Sequence, residues 1–135
     1  MKCRFIIWMS AIFLGCQNNT QKNPGFCDEE KAESFISVTL NEIGNEKIAT
    51  SQQVEVEGFF HYYFEDVALY LATNKDISKA LWLNFNDLDS NKNNILEDLA
   101  GKKVKVIGVI DLTSKGHLGN YIGTLNNVIC ITPKE

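Results

Sequence analysis

His61 and His117 are the two histidines of the chain, and they are the first residues to consider as carriers of chemistry. Imidazole binds zinc and iron, and sites built on two imidazoles are often completed by a carboxylate. A metal site formed by His61, Glu65 and His117 is therefore one interpretation, with Asp66 and Asp111 as further acids. No local spacing brings the two histidines together. In the alternative interpretation, His61 is a half-buried strand residue and His117 is a loop residue that bonds to backbone.

Motifs of other catalytic classes are not found in the sequence. There is no Gly-x-Ser-x-Gly nucleophile elbow, and neither common glycine-rich phosphate-binding motif occurs. The glycines that flank His117, Gly116 and Gly119, instead predict a loop with positive φ angles. We therefore expect no catalytic residue and no cofactor, and a metal-dependent enzyme or metal-binding protein that uses His61 and His117 remains the alternative.

The first fifteen residues have the pattern of an export signal. A short basic start precedes a charge-free apolar run over residues 5–15, which is shorter than the roughly 20 residues that a spanning helix needs. The run ends at Gly15-Cys16, and a small residue followed by cysteine and a polar segment resembles the lipobox of bacterial lipoproteins. This resemblance implies that Cys16 becomes the first mature residue and carries acyl chains such as palmitate, although Phe13 replaces the usual Leu. An ordinary secretory signal is the alternative.

The chain is thus divided into a signal peptide over residues 1–15, a lipidated cysteine with a flexible tether over residues 16–25, and one folded domain over residues 26–135. The tether is rich in Asn and Gln and has no apolar periodicity. Hydrophobic residues make up 44% of the chain and charged residues 22%, which is typical of a globular protein with a real core. We expect the protein in the cell envelope, anchored to the outer membrane.

Net charge restricts the partners. Loss of the signal removes Lys2 and Arg4, so 11 of the 13 basic residues remain against 17 acidic residues, and the net charge changes from −4 to −6. An acidic surface repels nucleic acid and anionic lipid headgroups. We therefore expect no nucleic-acid partner, membrane attachment only through acylated Cys16, and an envelope protein or a glycan as partner.

Cys27 and Cys130 lie at the two ends of the predicted domain. Thiols of small exported domains tend to pair, and this bridge would close a loop of about 100 residues. Alternatively, Cys130 is a small buried hydrophobe within an apolar strand and Cys27 is a free surface thiol.

Hydrophobic alternation predicts a β-rich domain. The predicted strands cover residues 53–64, 67–71, 80–85, 102–110 and 121–131. Glu65-Asp66 is the predicted hairpin turn, the polar residues 86–94 a loop, and residues 95–101 one helical turn. The capping-box pattern from Thr39 to Glu42 predicts a short helix near residues 40–47, although the alternation from Ile36 to Leu40 also allows a strand.

Glycine in the middle of two strands, at Gly58 and Gly108, is typical of a small barrel, where strands bend or approach closely. The expected fold is mainly β: a small, OB-like, partly open β-barrel of five to six strands with one or two short helices. The aromatic run from Phe59 to Phe64 places rings on both faces of its strand. One face belongs to the core, and the other is either a stacking surface or a set of half-exposed core residues.

Two patterns within this domain are the most specific: Phe-Glu-x-x-Ala-x-Tyr at residues 64–70, and Lys-Gly-His-x-Gly at residues 115–119. In them, and more loosely over residues 36–131, the chain resembles a group of small, uncharacterised exported bacterial proteins with an OB-like barrel. Residues 48–53 depart from the group. The resemblance implies the fold and no mechanism.

These observations predict a lipid-anchored binding or scaffolding module of the cell envelope without catalytic activity. A metal-dependent enzyme built on the two histidines is the alternative from another class. An exported nucleic-acid-binding OB domain is disfavoured, because no basic stripe accompanies the aromatic residues.

Overall fold

The computed structural model describes residues 25–135. The predicted signal peptide, Cys16 and most of the predicted tether lie outside the described residues. The elements, in chain order, are β1 (Phe26–Cys27), β2 (Ile36–Val38), α1 (Leu40–Gly44), β3 (Gln53–Tyr63), β4 (Asp66–Tyr70), a 3-10 turn (Ile77–Lys79), β5 (Leu81–Leu83), α2 (Ser90–Leu99), β6 (Lys103–Asp111), a second 3-10 turn (His117–Gly119) and β7 (Gly123–Pro133).

Five strands form a closed ring in the order β3-β4-β5-β7-β6, and β6 pairs again with β3. All neighbours in the ring are antiparallel except β5 and β7, which are parallel. Two outer strands are added, because β1 pairs with β7 and β2 pairs with β3. The predicted mainly β fold, a small β-barrel with short helices, is confirmed, and the barrel is closed where the sequence predicts a partly open one. Ladders join every neighbouring pair in the ring, and the outer strands bring the described total to seven.

Alternation along β3 and β6 builds the barrel interior. Val54, Val56 and Phe60 point inward from β3, and Val104 and Val106 point inward from the facing β6; each is at most 1% exposed. Complete burial of such a side chain contributes about 1.5–3 kcal/mol. The barrel is therefore held by the same period-two pattern that the sequence displays.

Helix α1 begins where the capping box predicts. The Glu42 amide donates to Thr39 Oγ1 at 3.2 Å, and the Thr39 amide donates to Glu42 Oε2 at 2.7 Å. The helix buries Leu40 and Ile43. Residues 36–38 form β2 immediately before the cap, so the helical and the extended patterns are both realised, one after the other.

Helix α2 corrects the prediction of a loop over residues 86–94 followed by a single turn. The Asp89 carboxylate caps the helix by accepting from the Lys92 amide at 2.8 Å. Ile95, Leu96 and Leu99 lie on its buried face against the barrel core. Ser and Asn in the first turns have low helix propensity, and this packing outweighs it.

No helix within residues 25–135 has the length and the apolar character to cross a membrane.

The first and last strands are joined covalently. Cys27 and Cys130 lie opposite each other in the β1–β7 ladder and form a disulfide, at a sequence separation of 103. The bridge ties the segment that follows the predicted tether to the end of the barrel. In the structure, neither cysteine is a free thiol.

Candidate functional site

The β3–β4 hairpin places the functional side chains by its register. The turn consists of Phe64 and Glu65, one residue earlier than the predicted Glu65-Asp66. Asp66 is therefore the first residue of β4 and lies opposite Tyr63. The predicted turn leaves Asp66 outside the ladder, which is why the prediction missed its cross-strand neighbours.

Asp66 is the centre of a polar cluster on the outside of the barrel. Its Oδ1 accepts hydrogen bonds from the Tyr70 hydroxyl at 2.7 Å and the Tyr121 hydroxyl at 2.8 Å. Its Oδ2 lies 2.7 Å from His61 Nδ1 and 3.9 Å from Lys75 Nζ. One half-buried carboxylate thus receives hydrogen bonds from β3, from β4 and from the segment before β7, and Lys75, after β4, lies at ion-pair distance.

The same contacts set the proton position on His61. Its Nδ1 faces two acceptors, the Asp66 carboxylate and the Asp66 carbonyl oxygen at 3.1 Å. Nδ1 must then carry the ring proton, because both neighbours can only accept. Nε2 of the neutral ring is left with a lone pair, and it accepts from the Lys75 ammonium at 2.6 Å. We define Asp66, His61 and Lys75 as the relay.

Burial and the Asp66 carboxylate together hold the two tyrosines in their protonated form. Burial, followed by the hydrogen bond and the charge of Asp66, raises the pKa of Tyr121 to about 12. The same causes, with burial again the largest, raise the pKa of Tyr70 well above its ordinary value. These tyrosines therefore act as hydrogen-bond donors to Asp66 over the whole physiological range.

The loop between β6 and β7, residues 112–122, covers this outer face. Tyr121 is 5% exposed, and its ring meets the Trp82 ring edge-on at 5.2 Å between centroids. Lys115 ties the loop to itself, since its carbonyl accepts from the Tyr121 amide and its Nζ donates to the Ile122 carbonyl. The loop and the sheet face form a second small core outside the barrel.

His117 lies on this loop, and its surroundings differ from both predictions. No hydrogen bond from its ring to backbone is present among the described residues. The ring stacks on Trp82 at 6.2 Å, and its Nε2 lies 3.8 Å from Glu65 Oε2, with both side chains largely exposed. Gly116 and Gly119 have φ angles of +67° and +70°, as their positions beside the histidine predict.

The predicted metal ligands are brought together only in part. Glu65 approaches His117, whereas His61 is bound to Asp66. Asp111 accepts from Thr113 within its own loop. Within residues 25–135, no group of three or more His, Cys, Asp or Glu side chains is placed to hold a metal ion.

The relay resembles half of a general-base arrangement, in which an acid orients an imidazole. However, His61 Nε2 bonds to the Lys75 ammonium, whereas the imidazole of a general-base site must contact a hydroxyl or a thiol. What this geometry does chemically is hold one cation in a defined place beside a cavity of about 200 Å³. Sequence reasoning missed Lys75, whose polar loop carries no motif.

A second feature lies at the tip of the same hairpin. A groove of about 420 Å³, here called the tip groove, is lined by Tyr62, Tyr63, Phe64, Val67, Asn93 and Glu97. The Tyr62 hydroxyl donates to Asn93 of α2, which ties the hairpin to the helix. Burial, and then the nearby Glu97 carboxylate, raise the pKa of Tyr62. The groove therefore combines aromatic walls with one negative charge.

Comparison with known proteins finds no match to a family model, to a curated protein or to a solved structure.

Proposed function

We propose that this protein is a lipid-anchored, non-catalytic binding module of the bacterial cell envelope, and that the tip groove holds a basic side chain of a partner protein. One observation carries the proposal: Tyr63 and Phe64 are 73% and 89% exposed at the mouth of a groove that contains Glu97.

Exposure of these two rings is not required by the fold. Other aromatic residues of β3 are packed: Phe60 is 1% exposed, and Phe59 packs against the second small core outside the barrel. Large aromatic side chains are enriched where proteins bind one another, because they contribute much contact area with few rotatable bonds. Two adjacent exposed rings at a hairpin tip therefore support a binding role.

Charge favours a basic ligand for this groove. Glu97 is the one charged residue that lines it, and the mature chain has a net charge of −6. A Lys or Arg side chain can lie over an aromatic ring and pair with a carboxylate at the same time. The negative charge of Glu97, which also accepts from Asn93 Nδ2 at 3.2 Å, favours a cationic ligand over a neutral glycan.

Anchoring restricts where the partner must be. Nine residues separate Cys16 from Phe26, the first residue of β1, and the ten Cα–Cα steps between them span at most about 36 Å when fully extended. A domain held in this way stays within the length of this segment from the membrane surface. The partner is accordingly an envelope protein that presents its basic segment within that distance.

The test uses the detergent-solubilised full chain and N-acetylarginine amide as the probe, with the uncharged citrulline analogue as the matched ligand. We expect the arginine probe to shift the NMR signals of the Tyr63 and Phe64 rings at millimolar concentration. Glu97→Gln should weaken binding about threefold to tenfold, the size of one charge-assisted contact at a partly exposed site. Asp98→Asn, on the same helix but outside the groove, is the control.

Three outcomes would contradict the proposal. They are equal binding of the arginine and citrulline probes, unchanged binding by Phe64→Ser, or binding of an N-acetylglucosamine oligosaccharide in place of the arginine probe. The last result would assign the groove to glycan.

A further inference from the structure

The cavity beside the relay, here called the lysine pocket, is a second place where a ligand fits. Its walls are mainly apolar, formed by Phe59, Ala72 and Gly101, and Tyr70 and His61 close one side. Lys75 contributes the one formal charge at its lining. We infer that the lysine pocket binds a small organic carboxylate with a short aliphatic or aromatic group.

The cation is held in place before any ligand arrives. Lys75 Nζ bonds to His61 Nε2 at 2.6 Å, and His61 is in turn fixed by Asp66. The Lys75 side chain is 51% exposed, so its ammonium retains donor capacity on the open side. An ammonium held in one position loses less side-chain freedom on binding than a free surface lysine does.

Asp66 offsets part of this positive charge at ion-pair distance, but it makes no direct hydrogen bond to the ammonium. Both of its oxygens are occupied by donors, with the Tyr70 and Tyr121 hydroxyls on Oδ1 and His61 on Oδ2. It lies 3.9 Å from Lys75 Nζ, beyond hydrogen-bond distance. An incoming carboxylate can therefore take up the direct bonds that the ammonium has to offer.

Size and charge define the ligand class. A volume of about 200 Å³ is the share of roughly seven water molecules in the liquid, at about 30 Å³ each, and bonded non-hydrogen atoms pack more densely than separate waters do. This suits branched short-chain acids and benzoate. A phosphate ester carries up to two negative charges. The pocket offers it one cation, and the Asp66 carboxylate 3.9 Å from that cation would repel the second charge, so a phosphate ester is disfavoured.

Calorimetric titration of the detergent-solubilised full chain tests the inference, with benzoate as the probe and benzamide as its uncharged match. We expect benzoate to bind at least tenfold more tightly than benzamide. Lys75→Met should remove this preference. Lys79→Met is the matched control, because Lys79, four residues along the chain from Lys75, is similarly exposed and pairs with Asp76 outside the pocket.

A second variant keeps the test independent of the charge. Ala72 is exposed at the pocket wall, so Ala72→Leu adds bulk to the pocket and leaves the charge of Lys75 in place, and it should abolish benzoate binding. Phe64→Ser, in the tip groove, should leave benzoate binding unchanged, which separates this inference from the proposed function. Equal affinity for benzoate and benzamide, or full benzoate binding by Lys75→Met or by Ala72→Leu, would overturn it.

Discussion

Asp66 shows how a single carboxylate organises a surface. Its donors come from three places in the chain: His61 in β3, Tyr70 in β4, and Tyr121 in the loop of residues 112–122; Lys75 adds a positive charge at 3.9 Å. Charge-assisted hydrogen bonds of this kind are about twice as strong as neutral ones. The loop of residues 112–122 is therefore attached to the sheet by a hydrogen bond to Asp66 as well as by packing.

Alkaline pH should weaken this attachment. The pKa of Tyr121 is raised to about 12 in the folded protein, compared with the ordinary value of 10.0 that applies to the unfolded chain. A raised folded pKa means that the contribution is complete below pH 10 and is lost as the pH rises towards 12. We expect the urea midpoint of the wild type to fall across this window, and to fall less in Tyr121→Phe. An equal fall in both proteins would contradict this prediction.

Gly116 and Gly119, in the loop of residues 112–122, should differ in how much stability an alanine substitution costs. Both have positive φ, but a Cβ at Gly116 would lie 2.7 Å from Trp82 Cβ and from Tyr121 Cδ2, whereas a Cβ at Gly119 meets nothing within 4 Å. Gly116→Ala should therefore lose about 2–4 kcal/mol of unfolding free energy, from backbone strain together with overpacking. Gly119→Ala should lose only about 1–2 kcal/mol, from strain alone. Urea denaturation of both variants measures the difference, and equal losses would argue against the close packing of Gly116 on Trp82.

At the level of elements, prediction succeeds where the signal is local. The alternation in β3 and β6 and the capping box of α1 lie within a few residues, and each element forms where its pattern is found. The first half of α2 lacks such a signal, because Ser90 to Asn94 are polar and form a helix only with Asp89 as cap and with the core beneath Leu96. Tertiary packing decides that helix.

The candidate site is harder to predict because its contacts are not local. Tyr121 reaches Asp66 across 55 residues, and Lys75 arrives from a loop without periodicity. Alternation places His61 and Tyr70 on one face under either turn assignment, but Asp66 belongs to β4 only when the turn is Phe64 and Glu65. The position of that turn decides whether Asp66 is recognised as part of the site.

The disulfide is the covalent connection between the outer strand β1 and the barrel strand β7. The chain-entropy model gives about 4.7 kcal/mol for a loop of about 100 residues, and measured values of about 2–4 kcal/mol are typical. Reduction should accordingly lower the melting temperature of the oxidised protein. The double variant Cys27→Ser/Cys130→Ser should melt at the lower temperature with or without reductant. If reductant lowered the melting temperature of the double variant by the same amount, the effect would not arise from this bridge.

For the whole molecule, the proposed anchor and the acidic surface act together. Removal of the predicted signal would leave a net charge of −6, which repels anionic headgroups. Acyl chains contribute about 0.8 kcal/mol for each buried CH₂ group, so two or more chains on one cysteine hold a domain firmly. The disulfide at Cys27 then fixes where the tether joins the barrel. Membrane attachment in this proposal depends on Cys16 alone.

Replacement of that cysteine tests the anchor directly. Wild-type protein expressed in a bacterial host should partition with the membranes and incorporate labelled palmitate, and Cys16→Ser should do neither, because serine has no thiol to accept the lipid. Cys3→Ser is the matched control: it removes a cysteine that lies within the predicted signal, and it should leave both labelling and partition unchanged. Palmitate label that persists in Cys16→Ser, or loss of label in Cys3→Ser, would assign the modification to another residue. A Cys16→Ser protein that is unlabelled but still sediments with membranes would show that a protein contact, such as one through the tip groove, holds the domain there without lipid.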